Sequence, residues 1–213
     1  MKTILFQGDS ITDGEHSNDN PLNPGYCYPL FVKSYLDRNY PEEYQILNRA
    51  IAGNHVVDVY ARMMRDIVAL KPDVLSILIG VNDVLGWLKE DKTSPGEDIY
   101  YRTYCQLIED TRKFLPDVQI MILEPFIASG MPEAEKRGSF TALAYRYAEL
   151  TRNIAEKYGL TYIPLQDKFN EALKKAPSEY WIYDDVHPTV EGTALIAEAW
   201  LDAFRKLENG NKK

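Results

Sequence analysis

The chain has 213 residues, of which 45% are hydrophobic and 26% are charged, and its formal net charge is −8 at pH 7. This composition excludes disordered, fibrous and membrane-embedded proteins, and a field of that sign repels nucleic acid and anionic lipid headgroups. We therefore expect one globular domain over residues 1–213, with a frayed tail at 208–213 and with no nucleic-acid or membrane partner.

Two features predict a cytoplasmic protein without prosthetic groups. The apolar run at residues 4–6 is too short for the core of a signal peptide. Cys27 and Cys105 are far apart and form no C-x-x-C pair, so we expect reduced cysteines and neither a disulfide nor a zinc cluster. We expect no cofactor and no metal.

Along the chain, short runs rich in β-branched residues alternate with longer stretches of helical period. The predicted strands are 3–7, 44–48, 74–79, 119–123 and 161–164, and the predicted helices are 28–38, 56–70, 98–114, 140–157 and 190–207. This alternation predicts an α/β fold in which a five-stranded parallel sheet forms the middle of a three-layer α/β/α sandwich. Two polar loops punctuated by Gly and Pro, 13–24 and 128–138, are candidate lids over a site.

Residues with catalytic potential follow the predicted strands. In open α/β sheets, ligands bind beyond the carboxyl ends of the strands, so these positions are the ones to inspect. Three blocks follow the first three strands and a fourth lies near the C-terminus: Gly8-Asp9-Ser10-Ile11-Thr12, Ala52-Gly53-Asn54, Gly80-Val81-Asn82-Asp83 and Asp184-Asp185-Val186-His187-Pro188.

Ser10 is the candidate nucleophile, because it stands where a strand turns into a loop close to a glycine. Taken alone, Asp9 and Ser10 are more readily explained as residues that cap a helix. A serine hydroxyl also needs a neighbouring base, for which histidine is best suited. His187 is the favoured base, since Asp184 lies three residues earlier and a turn of that length brings its carboxylate to one ring nitrogen.

The other two histidines, His16 and His55, compete with His187 for the role of base. His55 opens a predicted helix, where a capping or packing role is the simpler explanation. His16 lies in a polar loop with three carboxylates, which form a candidate site for a divalent cation: Asp13, Glu15 and Asp19. A solvated loop explains that cluster better than a metal does.

Acyl transfer also needs hydrogen-bond donors where negative charge develops on the carbonyl oxygen. The backbone N–H of Gly53 and the side-chain amide of Asn82 are candidates for these donors. Each residue alone is readily explained as a turn or cap residue. Their occurrence together with Ser10 and His187 favours a catalytic site.

The four blocks resemble those of the SGNH hydrolases, the serine esterase family also called GDSL. The four residues of the family's name match Ser10, Gly53, Asn82 and His187 in order, and the resemblance spans nearly the whole chain. One departure is Ile11, where many members have leucine. The resemblance implies a flavodoxin-like SGNH hydrolase fold and a serine esterase activity.

The resemblance also implies the role of each site residue. Ser10 is then the nucleophile, and His187 is the general base and afterwards the general acid. Asp185 is an alternative to Asp184 as the residue that orients the histidine, and the family pattern decides for Asp184. The oxyanion hole would consist of the Ser10 and Gly53 N–H groups and the Asn82 side chain, with Asp9 in a supporting role.

Within the family, the contexts at 80–84 and 181–188 look most like those of intracellular carbohydrate acetylesterases that deacetylate xylan fragments. This resemblance implies a small ester substrate, an acetylated oligosaccharide. Sugar rings stack on flat side chains, so Trp87, Trp181 and Tyr183 are candidate substrate-binding residues, the alternative being core or interface positions. The chain holds 15 tyrosines and seven phenylalanines, which suits a sugar site or the interface of a homo-oligomer.

Two other functions stay open at this point. A lipolytic esterase or thioesterase, of the lysophospholipase kind, would use the same catalytic residues with an acyl pocket lined by apolar side chains. A non-catalytic carbohydrate-binding module could keep the fold, but such a relative is expected to lose catalytic residues that are all present here.

Overall fold

The computed structural model describes residues 1–20, 23–89, 92–94, 96–127, 134–184 and 186–210. Within them lies a five-stranded parallel sheet with the strand order β2-β1-β3-β4-β5. The strands are β1 (Lys2–Gly8), β2 (Tyr44–Asn48), β3 (Val74–Leu78), β4 (Gln119–Leu123) and β5 (Thr161–Ile163). Each predicted strand is therefore present, with ends that differ by at most one residue.

Helices cover both faces of this sheet. In the described residues they are α1 (Ser10–Asp13), α2 (Tyr28–Asn39), α3 (Val56–Ala61), α4 (Met63–Asp66), a 3₁₀ turn (Val68–Leu70), α5 (Val81–Leu88), α6 (Glu97–Phe114), α7 (Ala134–Tyr158), α8 (Gln166–Leu173), α9 (Ser178–Trp181) and α10 (Val190–Gly210). Helices α2 and α10 pack together on one face, and α3, α6 and α7 form the other layer. The predicted α/β/α sandwich is confirmed.

The strands are apolar because both of their faces are covered. Ile4, Leu5 and Phe6 are all fully buried, and the Cα atom of Ile4 pairs with Ile46 on one side and Val74 on the other. Each side chain therefore packs against a helix layer, and no alternation of polar and apolar residues is required. None of the described helices has the length and apolar character needed to cross a membrane.

The predicted helix 56–70 is wrong in one respect, because it is broken into α3, α4 and a 3₁₀ turn. The first break falls at Arg62, whose backbone φ and ψ of −106° and 6° end α3. The local sequence of residues 56–70 predicts a continuous helix, because hydrophobic periodicity and helix propensity depend only on residues that are near in the chain. The guanidinium of Arg62 instead bonds to a distant loop, and that tertiary contact accompanies the break.

Other predicted boundaries also need correction. Residues 134–138 belong to α7 and not to the predicted loop 128–138, since a run of good helix formers there tolerates the single Gly138. Helix α10 continues to Gly210, so residues 208–210 of the predicted frayed tail are helical, and Glu208 accepts a bond from Lys2 at 2.8 Å. Residues 21–22 and 128–133 of the two predicted lids, and 211–213 of the tail, lie outside the described residues.

Candidate active site

The candidate site lies at the carboxyl ends of β1 and β3. The strand order reverses between these neighbours, and the chain leaves them towards opposite faces, which opens a crevice. Gly8 ends β1 with a φ of +155°, and a Cβ atom there would lie 2.2 Å from the carbonyl oxygen of Leu78 in β3. Only a glycine fits this approach, and it brings Ser10 to the mouth of the crevice.

A chain of hydrogen bonds joins Ser10 to two residues that are remote in sequence. The Nε2 atom of His187 lies 2.7 Å from the Oγ atom of Ser10. The Nδ1 atom of the same ring lies 2.7 Å and 3.0 Å from the two carboxylate oxygens of Asp184. This geometry favours the tautomer in which Nδ1–H donates to Asp184 and Nε2 accepts the serine proton.

A closed turn holds Asp184 and His187 in this arrangement. Ile182 and Pro188 form an isolated antiparallel bridge, and the Tyr183 N–H donates to the His187 carbonyl at 3.0 Å. Burial raises the pKa of Asp184, but hydrogen bonds from the backbone and ring of His187 outweigh it, so the pKa lies below its ordinary value. The turn therefore keeps the carboxylate ionised beside the histidine.

Three groups are the candidate donors to a developing oxyanion. Among the described residues, neither the Ser10 N–H nor the Gly53 N–H has an acceptor, so both are free for a ligand. Gly53 has a φ of +79°, and a Cβ there would meet nothing within 4 Å, so the residue borders open space. The Asn82 side chain is anchored beside it by donating to the Asn54 carbonyl at 3.2 Å. These groups can serve a developing oxyanion.

Two buried carboxyl groups lie beneath the site. Asp9 caps α1 by accepting from the Ile11 N–H at 3.0 Å, while its Oδ2 atom has no partner among the described residues. Burial raises the pKa of Asp9 from 3.8 to about 7. Burial also raises the pKa of Asp83 well above its ordinary value, although the Val56 N–H donates to it. Both carboxyls are therefore more easily neutral than surface ones.

The raised pKa of Asp9 predicts a pH-dependent cost to folding. Between pH 3.8 and about 7 the unfolded chain has released this proton and the folded chain retains it, so raising the pH destabilises the fold. Asp9→Asn keeps the cap and removes the titration. We expect the difference in unfolding free energy, Asp9→Asn minus wild type, to increase by at most about 4 kcal/mol from pH 4 to pH 8, because only the wild type loses stability over this range. Urea unfolding at both pH values measures this, and an unchanged difference would contradict the assignment.

Comparison with known proteins bears out the resemblance seen in the sequence. Residues 6–195 match the model of the GDSL-like Lipase/Acylhydrolase family. The chain belongs to this family. An acetylxylan esterase of Geobacillus stearothermophilus is 34% identical in an alignment of 211 residues that covers 93% of this chain and 91% of that protein. This GDSL-family chain is a carboxylic ester hydrolase with a Ser-His-Asp triad.

Solved structures of the family have the same fold. Axe2, an acetylxylan esterase from G. stearothermophilus, superposes with a TM-score of 0.84 at 31% identity, covering 95% of this chain and 93% of its own. A GDSL-like lipase from Parabacteroides merdae gives 0.85 at 32% identity, covering 95% and 94%. Catalytic variants of Axe2 replace a serine, an aspartate and a histidine by alanine, and the last two are three residues apart, as Asp184 and His187 are here.

A cavity of about 500 Å³ opens beside Ser10 in this GDSL-family chain. Ser10 and His187 line it together with carboxylate, tyrosine and hydroxyl groups, among them Asp13, Glu15, Tyr26, Tyr183 and Thr189. Another cavity, of about 570 Å³, lies near the start of β1 and β2 at the opposite edge of the sheet. It is remote from Ser10, so the smaller cavity is the candidate substrate site.

Of the three aromatic residues predicted to bind sugar, only Tyr183 lines this cavity within the described part of the chain. Trp87 packs against Gly96 and carries the Lys92 ammonium 4.5 Å above its ring. The indole of Trp181 donates to the Ala176 carbonyl at 3.3 Å. Trp87 and Trp181 are close in sequence to the blocks of site residues, but neither is among the described residues that line the cavity.

The remaining candidates occupy other places. His55 is bound to Asp58 at the start of α3, and His16 is bound to Asp13 at 2.7 Å, so neither histidine reaches Ser10 in the described structure. Asp185, the alternative to Asp184, lies outside the described residues.

Two residues of the cavity escaped the sequence analysis. Asp13 was considered only as part of an acidic loop, but its Oδ2 atom accepts from the Ala52 N–H at 2.9 Å and so holds the neighbour of Gly53. The spacing of one helical turn after Ser10 was the signal that could have indicated it. Tyr26 is 62% exposed at the cavity wall, and no local pattern distinguishes it from the other tyrosines.

Proposed function

We propose that this enzyme removes acetyl groups from xylo-oligosaccharides or related carbohydrates through an acyl-enzyme on Ser10. The observation that carries the proposal is the hydrogen-bonded chain from Asp184 through His187 to Ser10, with 2.7 Å between the last two side chains. The 34% identity to an acetylxylan esterase supports the choice of substrate.

In the first half of the reaction, Ser10 Oγ attacks the acetyl carbonyl carbon while His187 Nε2 takes the hydroxyl proton. The Ser10 and Gly53 N–H groups and the Asn82 amide stabilise the oxyanion. The bond to the sugar oxygen then breaks, and His187 returns its proton to that oxygen. Water repeats these steps on the acyl-enzyme and releases acetate, while Asp184 stabilises the imidazolium each time.

The chemistry of the cavity supports a sugar rather than a lipid as the alcohol. The carboxylates of Asp13 and Glu15 and the phenols of Tyr26 and Tyr183 offer acceptors and donors to sugar hydroxyls. A long acyl chain instead requires a continuous, deep apolar groove, and in the described lining of this cavity carboxylates and hydroxyls interrupt the apolar surface. We propose Tyr183 as the stacking platform, since it is 65% exposed and lies parallel to the His187 ring.

Acetate release from acetylated xylo-oligosaccharides tests the proposed function, with aryl acetate and aryl octanoate run in parallel. We expect rapid release from the sugar and from aryl acetate, with at least roughly 10-fold slower turnover of octanoate, because a lining interrupted by carboxylates and hydroxyls stabilises a long chain poorly. Faster hydrolysis of octanoate than of both acetates would move the assignment to a lipolytic esterase.

Tyr183→Ala separates the sugar from the acyl group in the same assay. We expect KM for the oligosaccharide to rise roughly 5-fold and KM for aryl acetate to change little, since one stacked ring contributes about 1 kcal/mol. Tyr145→Ala, which removes an exposed tyrosine of α7 outside the cavity lining, is the control. Equal effects on both substrates would argue against the platform.

A cytoplasmic location and a homo-oligomeric state stay predictions of the sequence analysis. Cell fractionation tests the location, and elution volume together with light scattering tests the oligomeric state.

A further inference from the structure

One guanidinium spans the two ends of the loop that carries Gly53. Arg62 Nη1 donates to the Arg49 carbonyl at 2.6 Å, and Arg62 Nε donates to the Asn54 side-chain oxygen at 2.9 Å. Residues 49 and 54 enclose the segment between β2 and α3 in which Gly53 lies. Arg62, which directly follows α3, therefore binds both ends of this loop.

Gly53 itself has few restraints of its own. A Cβ at this position would meet nothing within 4 Å, so no packing restrains the residue on that side. Its direction depends on its neighbours: the Ala52 N–H is bound to Asp13, and the Asn54 carbonyl accepts from Asn82. The bond from Arg62 to the Asn54 side chain completes this set.

The guanidinium is itself held rigidly. Arg62 Nη1 also donates to Asp66 Oδ2 at 3.0 Å, and the two side chains are only 10% and 9% exposed. The Asp66 carbonyl accepts from the Gln7 amide at 3.0 Å, and Gln7 lies on β1 three residues before Ser10. A continuous set of bonds therefore links the strand of the nucleophile to the loop of Gly53. A buried ion pair contributes little net stability, which favours a positional role.

We propose that Arg62 is a positioning residue that sets the direction of the Gly53 N–H in the oxyanion hole. The proposal rests on the proposed function, because it assumes that Gly53 contacts the reacting oxygen. Arg62 is not among the described residues that line the cavity, and its bonds reach the Gly53 loop through Asn54 and Arg49. A lysine here keeps the charge but lacks the planar fork that reaches both acceptors and Asp66.

Arg62→Lys tests the proposal with aryl acetate as the substrate. We expect kcat to fall roughly 10- to 100-fold and KM to stay within about 2-fold. A misdirected donor stabilises the charged transition state less well, while it leaves binding of the uncharged substrate unchanged. The rate of phosphonate labelling of Ser10 should fall with kcat. Arg65→Lys is the matched control: Arg65 binds the same Asp66 but is 73% exposed, and we expect unchanged kinetics.

Asn54→Ala is the second variant, and it keeps the buried ion pair if Arg62→Lys fails to fold. It removes the acceptor of Arg62 and leaves the Asn54 carbonyl, so we expect a similar fall in kcat and no further fall in the double variant. Lower thermal stability with wild-type kcat in both variants would overturn the proposal. Failure of the proposed function would show differently, as wild-type protein without Ser10-dependent hydrolysis.

Discussion

Ser10→Ala is expected to lower kcat for aryl acetate by roughly 10⁵- to 10⁶-fold, leaving only the residual rate that the oxyanion hole and substrate binding supply. The Ser10 hydroxyl, 2.7 Å from His187, is the only proposed nucleophile. Since the triad residues act as one unit, an enzyme that lacks one of them loses nearly all of its activity. Initial rates with aryl acetate measure the loss, and mass spectrometry after treatment with a serine-directed phosphonate measures labelling, which should disappear.

The variant should fold normally, because the hydroxyl is replaced by a smaller group at the edge of an open cavity. Ser17→Ala is a suitable control, since this serine accepts from the Asn20 N–H in the neighbouring loop and is not a lining residue of the cavity. Persistent hydrolysis or labelling in Ser10→Ala, with a wild-type melting temperature, would remove Ser10 from the mechanism.

Asn82→Ala is expected to lower kcat by roughly 10²- to 10³-fold with little change in KM. The amide donates to an oxygen that gains its full charge only in the transition state, so its loss affects the chemical step and not ground-state binding. Saturation kinetics with aryl acetate separate the two constants. The Asn54 carbonyl also loses the hydrogen bond from Asn82 in this variant.

Asn39→Ala provides the matched control for that variant. Asn39 ends α2 and donates to the Tyr35 carbonyl, far from the carboxyl ends of the strands. Its replacement should leave both kinetic constants unchanged. Turnover by Asn82→Ala near the wild-type rate would exclude the amide from the oxyanion hole, and the Ser10 and Gly53 N–H groups would then have to suffice.

The sheet was predictable because its strands are buried on both faces. Short runs such as Ile4-Leu5-Phe6 and Ile77-Leu78-Ile79 are apolar and buried, and the polar residues and glycine that follow them mark where the strands end. Helix α5 was missed because its first turn contains Asn82 and Asp83, residue types that also favour turns. In this fold a glycine with a φ of +138° precedes the helix, and that conformation is not readable from composition.

The sequence by itself determined the order of the strands and of the longer helices and predicted the four blocks of site residues, because both appear as local patterns of residue type. Only the tertiary structure decided that Tyr183 and not Trp87 lines the cavity, and that Arg62 breaks a helix to bind a loop. Those outcomes depend on contacts between residues far apart in the chain, and the direction of a side chain across such a distance leaves no trace in local sequence.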